Sequence, residues 1–525
     1  MTFKDVSGVD RASALVWASV LLVALLTFRR YGIAWDEQGE NVYGDLLLRF
    51  YASGFSDRAA FEFVNFRYYG GGFELLAALL SRALPWTAYE ARHLLSVLIG
   101  LAALIATSRV AHKLGGARAG LIATLLLALN PCWYGHTFIN ARDVPMAAGI
   151  MSCLWLSLSM LDALPHVRTP HAIAYGAVLG WTISVRVGAV IALAFLCVPI
   201  ALWLARRMRS GAALRELTMD VLHIARSLAP ALPAALVVIA LFWPWAVLGP
   251  GHALEAFRMF SRFPYDGTVL FDGVVLPATA LPASYVPVYL AVTQPEALLA
   301  GVALAVALAA RSARRWLALD GRVIGVAAVV CSALAPIAYF IAARPVAYNS
   351  MRHFLFVVPL ATVLAALAFD YALERWPSRA AVLVPLGALL ALHASDLVRL
   401  HENQYLFFNR LAGGVSGAQG RFELDYWGTS LREATERLVA HVERRGERPP
   451  PGAKLKVHVC GNNYSASEYF PRWLELVDRR EDADFHIAIA TYYCKHQPGS
   501  RTIVRAERAG ATLSFVDDQR SRQLR

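Results

Sequence analysis

What most constrains this chain is a series of eleven apolar stretches, at residues 12–28, 91–110, 119–132, 144–161, 172–186, 188–205, 228–248, 292–310, 323–342, 352–372 and 380–397. Each approaches the roughly 20 residues that carry a helix across a hydrocarbon core. Inside a bilayer every backbone polar group must be satisfied within the protein, which leaves helices or closed barrels. Runs of this length select helices, so the predicted fold is mainly α and polytopic. The composition agrees: 57% of the 525 residues are hydrophobic and 17% charged, against about 25% charged in soluble domains. The fifth and sixth stretches nearly touch at Arg186-Val187-Gly188, so their separation is the weakest part of the count.

A net charge of +12 would ordinarily raise nucleic-acid binding. Here the charge sorts by loop instead. With the N-terminus placed inside, the short inner loops hold 14 Lys and Arg in 58 residues, and the outer loops hold 11 in 128. That asymmetry is the orientation signal of a multi-pass protein. It predicts a cytoplasmic N-terminus, an outer C-terminus and no nucleic-acid partner. The first apolar run ends on Arg29-Arg30 rather than on small residues, so it reads as a retained membrane helix and not a cleaved signal.

Two outer loops are long. Residues 29–90 contain two amphipathic patterns, 37–51 and 73–84, around Phe66-Arg67-Tyr68-Tyr69-Gly70-Gly71-Gly72. Such helices lie in the plane of the membrane interface. Residues 249–291 are rich in Pro, Gly and Tyr. From residue 400 the composition turns soluble: a helical pattern at 430–445, strand patterns at 454–460 and 485–490, and a hairpin at 502–516 around Ala509-Gly510. The expected organisation is a membrane part at 1–399 and a small outer α/β domain at 400–525. Cys460 and Cys494 both lie in that domain; a disulfide suits an oxidising outer compartment, and two buried thiols are the alternative.

Carboxylates beside membrane segments carry the chemical information, because they are costly unless paired or wet. Trp35-Asp36-Glu37 follows the first stretch, and Asn140-Ala141-Arg142-Asp143-Val144-Pro145 opens the fourth. Asp36 and Asp143 both fit as helix N-caps. Against that, Asp36, Glu37 and Asp143 fall on one face, with His136 and Arg142 nearby. Arg186 and Arg352-His353 reach the same level from other stretches. Guanidinium groups suit phosphate recognition, and a positioned acid suits activation of an acceptor hydroxyl.

These motifs together resemble the GT-C glycosyltransferases, and within them the protein O-mannosyltransferase and lipid A aminoarabinose transferase superfamily. The resemblance rests on Asp36-Glu37 after the first helix, Arg142-Asp143-Val144-Pro145 after the third, Leu281-Pro282-x-x-Tyr285, Gln294-Pro295, and Arg352-His353-Phe354. It covers residues 12 to about 397. The stretch Phe422-Glu423-Leu424-Asp425-Tyr426-Trp427-Gly428 is similar to tails on some bacterial members. The resemblance implies a bacterial inner-membrane, polyprenyl-phosphate-dependent glycosyltransferase acting with inversion. Asp36 would be the catalytic base or the acid that orients the acceptor, with Glu37 beside it and Asp143 as second acid. Arg352 and His353, assisted by Arg186 and Arg142, would hold the lipid phosphate. Its partners would be the lipid-linked sugar, membrane lipids, and a lipid, glycan or protein acceptor. A divalent cation is the cofactor left open, with no ligand set that compels one. Ala283-Ser284 departs from the family pattern, which bears on the acceptor. The rival reading is a transporter or flippase for lipid-linked glycans, which would place its ionisable groups at the midplane and show repeated halves.

Overall fold

The computed structural model describes residues 8–261, 263–311 and 313–520. All eleven apolar stretches are helical, but not all are full spans. Among the described residues eight helices are long and apolar enough to cross a membrane, nine if one bent pair counts as a span, rather than eleven. Ala117–Ala128 and Thr169–Val185 measure only about 18 and about 26 Å at the α-helical rise. The eighth stretch is broken: Tyr285–Thr293 and Glu296–Arg311 meet at 119°. Pro295 forces Gln294 into extended backbone, where its ψ is 143°.

Burial sorts the helices into centre and rim. Of the apolar windows of Asp143–Leu161 and Val357–Arg375, 78% is buried, against 17% for Gly8–Arg30 and Ala380–Arg399 and 11% for Leu214–Phe242. The rim helices therefore show their apolar side chains outward, as a lipid-facing surface requires. One pair packs through its backbone: a Cβ on Gly176 would stand 2.0 Å from the Ala231 carbonyl oxygen, and one on Gly180 2.5 Å from that of Ala235. Small residues four apart let two helices approach this closely.

Between the first and second spans lie the helices Glu37–Ala52 and Glu74–Ala83, close to the expected amphipathic pair. Thr87 caps the next helix, Ala88–Gly115, in a reciprocal box with Glu90. A short antiparallel hairpin, β1 (Thr268–Phe271) and β2 (Val274–Pro277), occupies the other long loop.

The C-terminal sheet has five strands: β3 (Leu455–Cys460), β4 (Leu474–Leu476), β5 (Phe485–Ile489), β6 (Arg501–Arg508) and β7 (Ala511–Asp518). Their order is β4-β3-β5-β7-β6, with β3 parallel to β4 and β5, and β7 antiparallel to β5 and β6. The Leu431–Arg444 helix lays Leu431, Ala434, Leu438 and Val442 against this sheet to make a separate core. Cys460 and Cys494 are joined by a disulfide. Residues between, from Tyr405 to Trp427, pack instead into the core of the membrane helices.

Candidate active site

A cavity of about 520 Å³ opens where the helix ends meet the sheet. Asp36, Arg142, Asp143, Arg186 and Arg352 all line it. The chain reaches it from the first helix through Tyr31, buried and stacked on Phe138 at 3.8 Å. Trp35 then donates its N–H to the Trp427 carbonyl at 3.1 Å and accepts from the Asn462 amide. The peptide groups on either side of Trp35 are thus each fixed by the C-terminal region, so Asp36 is presented to the cavity on a pinned backbone.

Asp36 caps nothing: its side chain makes no bond to the helix it precedes. The carboxylate is 47% exposed and its Oδ2 meets Arg352 Nη1 at 3.0 Å. Asp143 is likewise not the cap of its helix. Asn140 accepts the N–H groups of Arg142 and Asp143 through Oδ1 and donates to Asp143 Oδ2 at 3.1 Å. Asp143 is left to pair with Arg186. Two carboxylates that fit as caps are thus both turned to guanidinium groups in a cavity.

Two expected residues face elsewhere. Glu37 does not stand beside Asp36: successive helix residues turn by about 100°, and this turn carries Glu37 inward, 2% exposed. There it accepts the Ala34 N–H at 2.7 Å and faces His93 Nε2 at 3.1 Å. His353 sits outside the cavity lining with its ring edge-on to Tyr348. Burial, with Arg186 and Arg352 near, pushes it well below the usual imidazole range. A neutral ring is no counter-ion for a phosphate.

Arg352 is buried with its guanidinium 4.9 Å over the Tyr348 ring and 5.4 Å from that of Trp427. Its Nε has no hydrogen-bond partner. Arg142 bonds Glu40 at 2.7 Å, lies 3.2 Å from Glu74, and stacks 4.0 Å over Tyr69. Glu40 is also held by Arg92; burial pushes its carboxyl up against the pull of both arginines. His136, buried behind Asn140, is pushed down to about 3 by burial and by Arg352. It is neutral, with Nδ1 accepting from the Asn140 amide.

No family model and no curated protein matches the chain. Among solved structures it is similar to ArnT from Cupriavidus metallidurans in the apo state, at a TM-score of 0.50 and 14% identity, over 96% of this chain and 97% of that one. The fold is that of the GT-C transferases. The same ArnT bound to undecaprenyl phosphate aligns at a TM-score of 0.48 and 13% identity over the same spans. The apo oligosaccharyltransferase of Archaeoglobus fulgidus aligns at 0.46 and 13%, over 89% of this chain and 65% of that one.

Within this GT-C fold several cavity residues carried no signal strong enough to single them out. Glu40 stands one turn after Asp36-Glu37, a spacing that does place it on the Glu37 face. Glu74 and Arg92 complete the buried network, and only the packing of three helices reveals them. Glu423, Tyr426, Trp427 and Tyr493 reach the wall from the C-terminal quarter. Tyr285 and Gln294, by contrast, serve the scaffold of the GT-C helices. Tyr285 donates to the Ser350 carbonyl, and Gln294 accepts from Asn130. Neither lines the cavity. Among the described residues no three His, Cys, Asp or Glu groups converge on a metal position. Asp36 and Asp143 each already face a guanidinium.

Proposed function

We propose that this protein is a membrane glycosyltransferase that moves a sugar from a polyprenyl phosphate to an acceptor hydroxyl. The observation that carries the reading is the Asp36–Arg352 pair, a half-exposed carboxylate on a buried guanidinium whose Nε is free. Arg142 and Arg186 line the same cavity. The GT-C fold and the acidic motifs support it.

The chemistry follows from competition for one cation. A phosphate offers a guanidinium two oxygens in one plane, a stronger partner than a single carboxylate oxygen. When the carrier phosphate takes Arg352, Asp36 is released toward the acceptor. Its carboxylate accepts the hydroxyl proton as the acceptor oxygen forms its bond to the anomeric carbon. The bond from that carbon to the phosphate oxygen breaks, its electron pair stays on the phosphate, and Arg352 and Arg186 hold the growing charge. A single displacement of this kind inverts the anomeric centre. Glu37, Glu40, Glu74, Arg92 and Arg142 form the buried lattice that fixes the helix carrying Asp36.

The test is transfer of labelled sugar from polyprenyl phosphate by the full-length protein in lipid. Asp36→Asn should lower turnover by about 10²-fold or more, the usual worth of a general base. Binding of undecaprenyl phosphate should persist. Near-wild-type turnover in that variant would remove Asp36 from the chemistry.

A further inference from the structure

Glu423 takes no part in the transfer proposed above, yet it lines the same cavity. It stands on the segment that joins the membrane helices to the sheet. The backbone N–H groups of Leu270 and Asn349 lie near its carboxyl and pull it toward the ionised form. Its Oε2 is buried and has no hydrogen-bond partner. A buried polar oxygen without a partner is unfavourable, and the carboxyl that carries it belongs to a residue on the cavity wall.

The titratable groups that share the wall with this carboxyl are Arg352, Tyr265, Tyr426 and Tyr493, with Tyr285 and Tyr289 within electrostatic reach behind it. Burial pushes it up to about 8, and the pull of Arg352 does not reverse this. The shift favours the carboxylic acid, which has an O–H to give, over the anion. Around it the wall is aromatic: Tyr265 stacks on Tyr348 at 4.1 Å, and Tyr426 meets Trp427 at 5.2 Å. Aromatic faces beside a few hydrogen-bonding tips suit a sugar ring, whose C–H faces are apolar and whose rim is hydroxylated.

Resting on the transferase reading of this cavity, we propose that Glu423 is the specificity-determining residue of a sugar subsite. Its carboxyl donates a hydrogen bond to a hydroxyl of a neutral pyranose set against the tyrosine wall. A neutral acid gives no electrostatic reward to an amino sugar, so the subsite prefers uncharged sugars.

The experiment titrates the full-length protein in nanodiscs with methyl α-glucopyranoside, methyl α-mannopyranoside and methyl 2-amino-2-deoxyglucopyranoside, read by saturation-transfer NMR. Wild type should bind at least one of the two neutral glycosides more tightly than the amino sugar. Glu423→Ala should weaken that binding by about tenfold or more, as loss of a buried polar partner does. Glu423→Gln keeps a donor and should stay within about threefold of wild type. Wild-type affinity should fall as pH rises through about 8, and the Gln variant should be flat. Equal affinity in wild type and Glu423→Ala, tighter binding of the amino sugar, or no binding of either neutral glycoside would each overturn the proposal. If Glu423→Ala does not fold, the contrast in pH profile between wild type and Glu423→Gln decides alone. Should no lipid-linked sugar be transferred while the Glu423 pattern holds, the transferase reading fails and the subsite stands. Asp36-dependent transfer with a silent Glu423→Ala gives the reverse.

Discussion

Asp36 and Asp143 illustrate what one residue type leaves open in a sequence. Either acid fits a helix N-cap on local grounds, and only the structure shows Asn140 taking the bonds at Asp143 and nothing taking them at Asp36. Their proximity to a membrane helix was enough to mark them. Glu423 and Tyr426 had no such marker, since a carboxylate in a soluble-looking tail is unremarked until the tail folds back onto the cavity. Glu37 was misplaced for a simpler reason, because neighbours on a helix cannot share a face. Two expectations belong to this scale. Arg352→Lys should weaken undecaprenyl phosphate binding by about tenfold, because an ammonium cannot pair bidentately; unchanged affinity would mean Arg352 serves only Asp36. Glu423 also imposes a pH dependence on stability. Its folded value, about 8, lies above the unfolded one. Its contribution is therefore fully present below the unfolded value and is lost as pH rises through about 8. Thermal unfolding in nanodiscs should show wild type losing stability over that window relative to Glu423→Gln.

Elements were more legible than sites. Hydropathy located the long apolar helices, and strand pattern the turn at Ala509-Gly510, where both residues take positive φ. The apolar helix Tyr285–Thr293 lies largely in a stretch that reads as loop. Hydropathy could not see that the eighth stretch bends at Gln294-Pro295, since a kink leaves the apolar count unchanged. Nor did it show why three glycines follow Tyr69. Gly72 donates to the Ser184 carbonyl at 2.9 Å and Gly71 to that of Phe242 at 2.8 Å. A Cβ on Gly70 would stand 1.9 Å from the Ser184 oxygen. This backbone-to-backbone contact seats Ser184, two residues before Arg186. Gly70→Ala should cost about 1–3 kcal/mol by overpacking and reduce transfer; a variant with wild-type melting and turnover would contradict the tight seat. The disulfide works on another element, the loop after β5 that brings Thr491 and Tyr493 to the cavity. Closing a loop of 34 residues is worth about 4 kcal/mol in the chain-entropy picture. Cys494→Ser should lower the unfolding temperature accordingly.

At the scale of the molecule, the loop charges argue for a sheet and cavity on the outer side of the membrane. A membrane-impermeant maleimide tests this, with the wild-type protein as background. Lys454→Cys should label in intact cells and Ser210→Cys only after permeabilisation; the opposite pattern would invert the molecule. The division between helices and sheet is not a clean cut, because residues from Tyr405 to Trp427 belong to the core of the helices. This has a consequence in time. Chains fold from the N-terminus as they are made, so the membrane helices are assembled while the cavity still lacks Glu423, Trp427 and Tyr493. Trp35, whose peptide presents Asp36, also waits for Trp427 and Asn462 to hold it. The carboxylate and the arginines are therefore synthesised early but aligned late. A chain interrupted before its last hundred residues would occupy the membrane without being competent to act on what lies there.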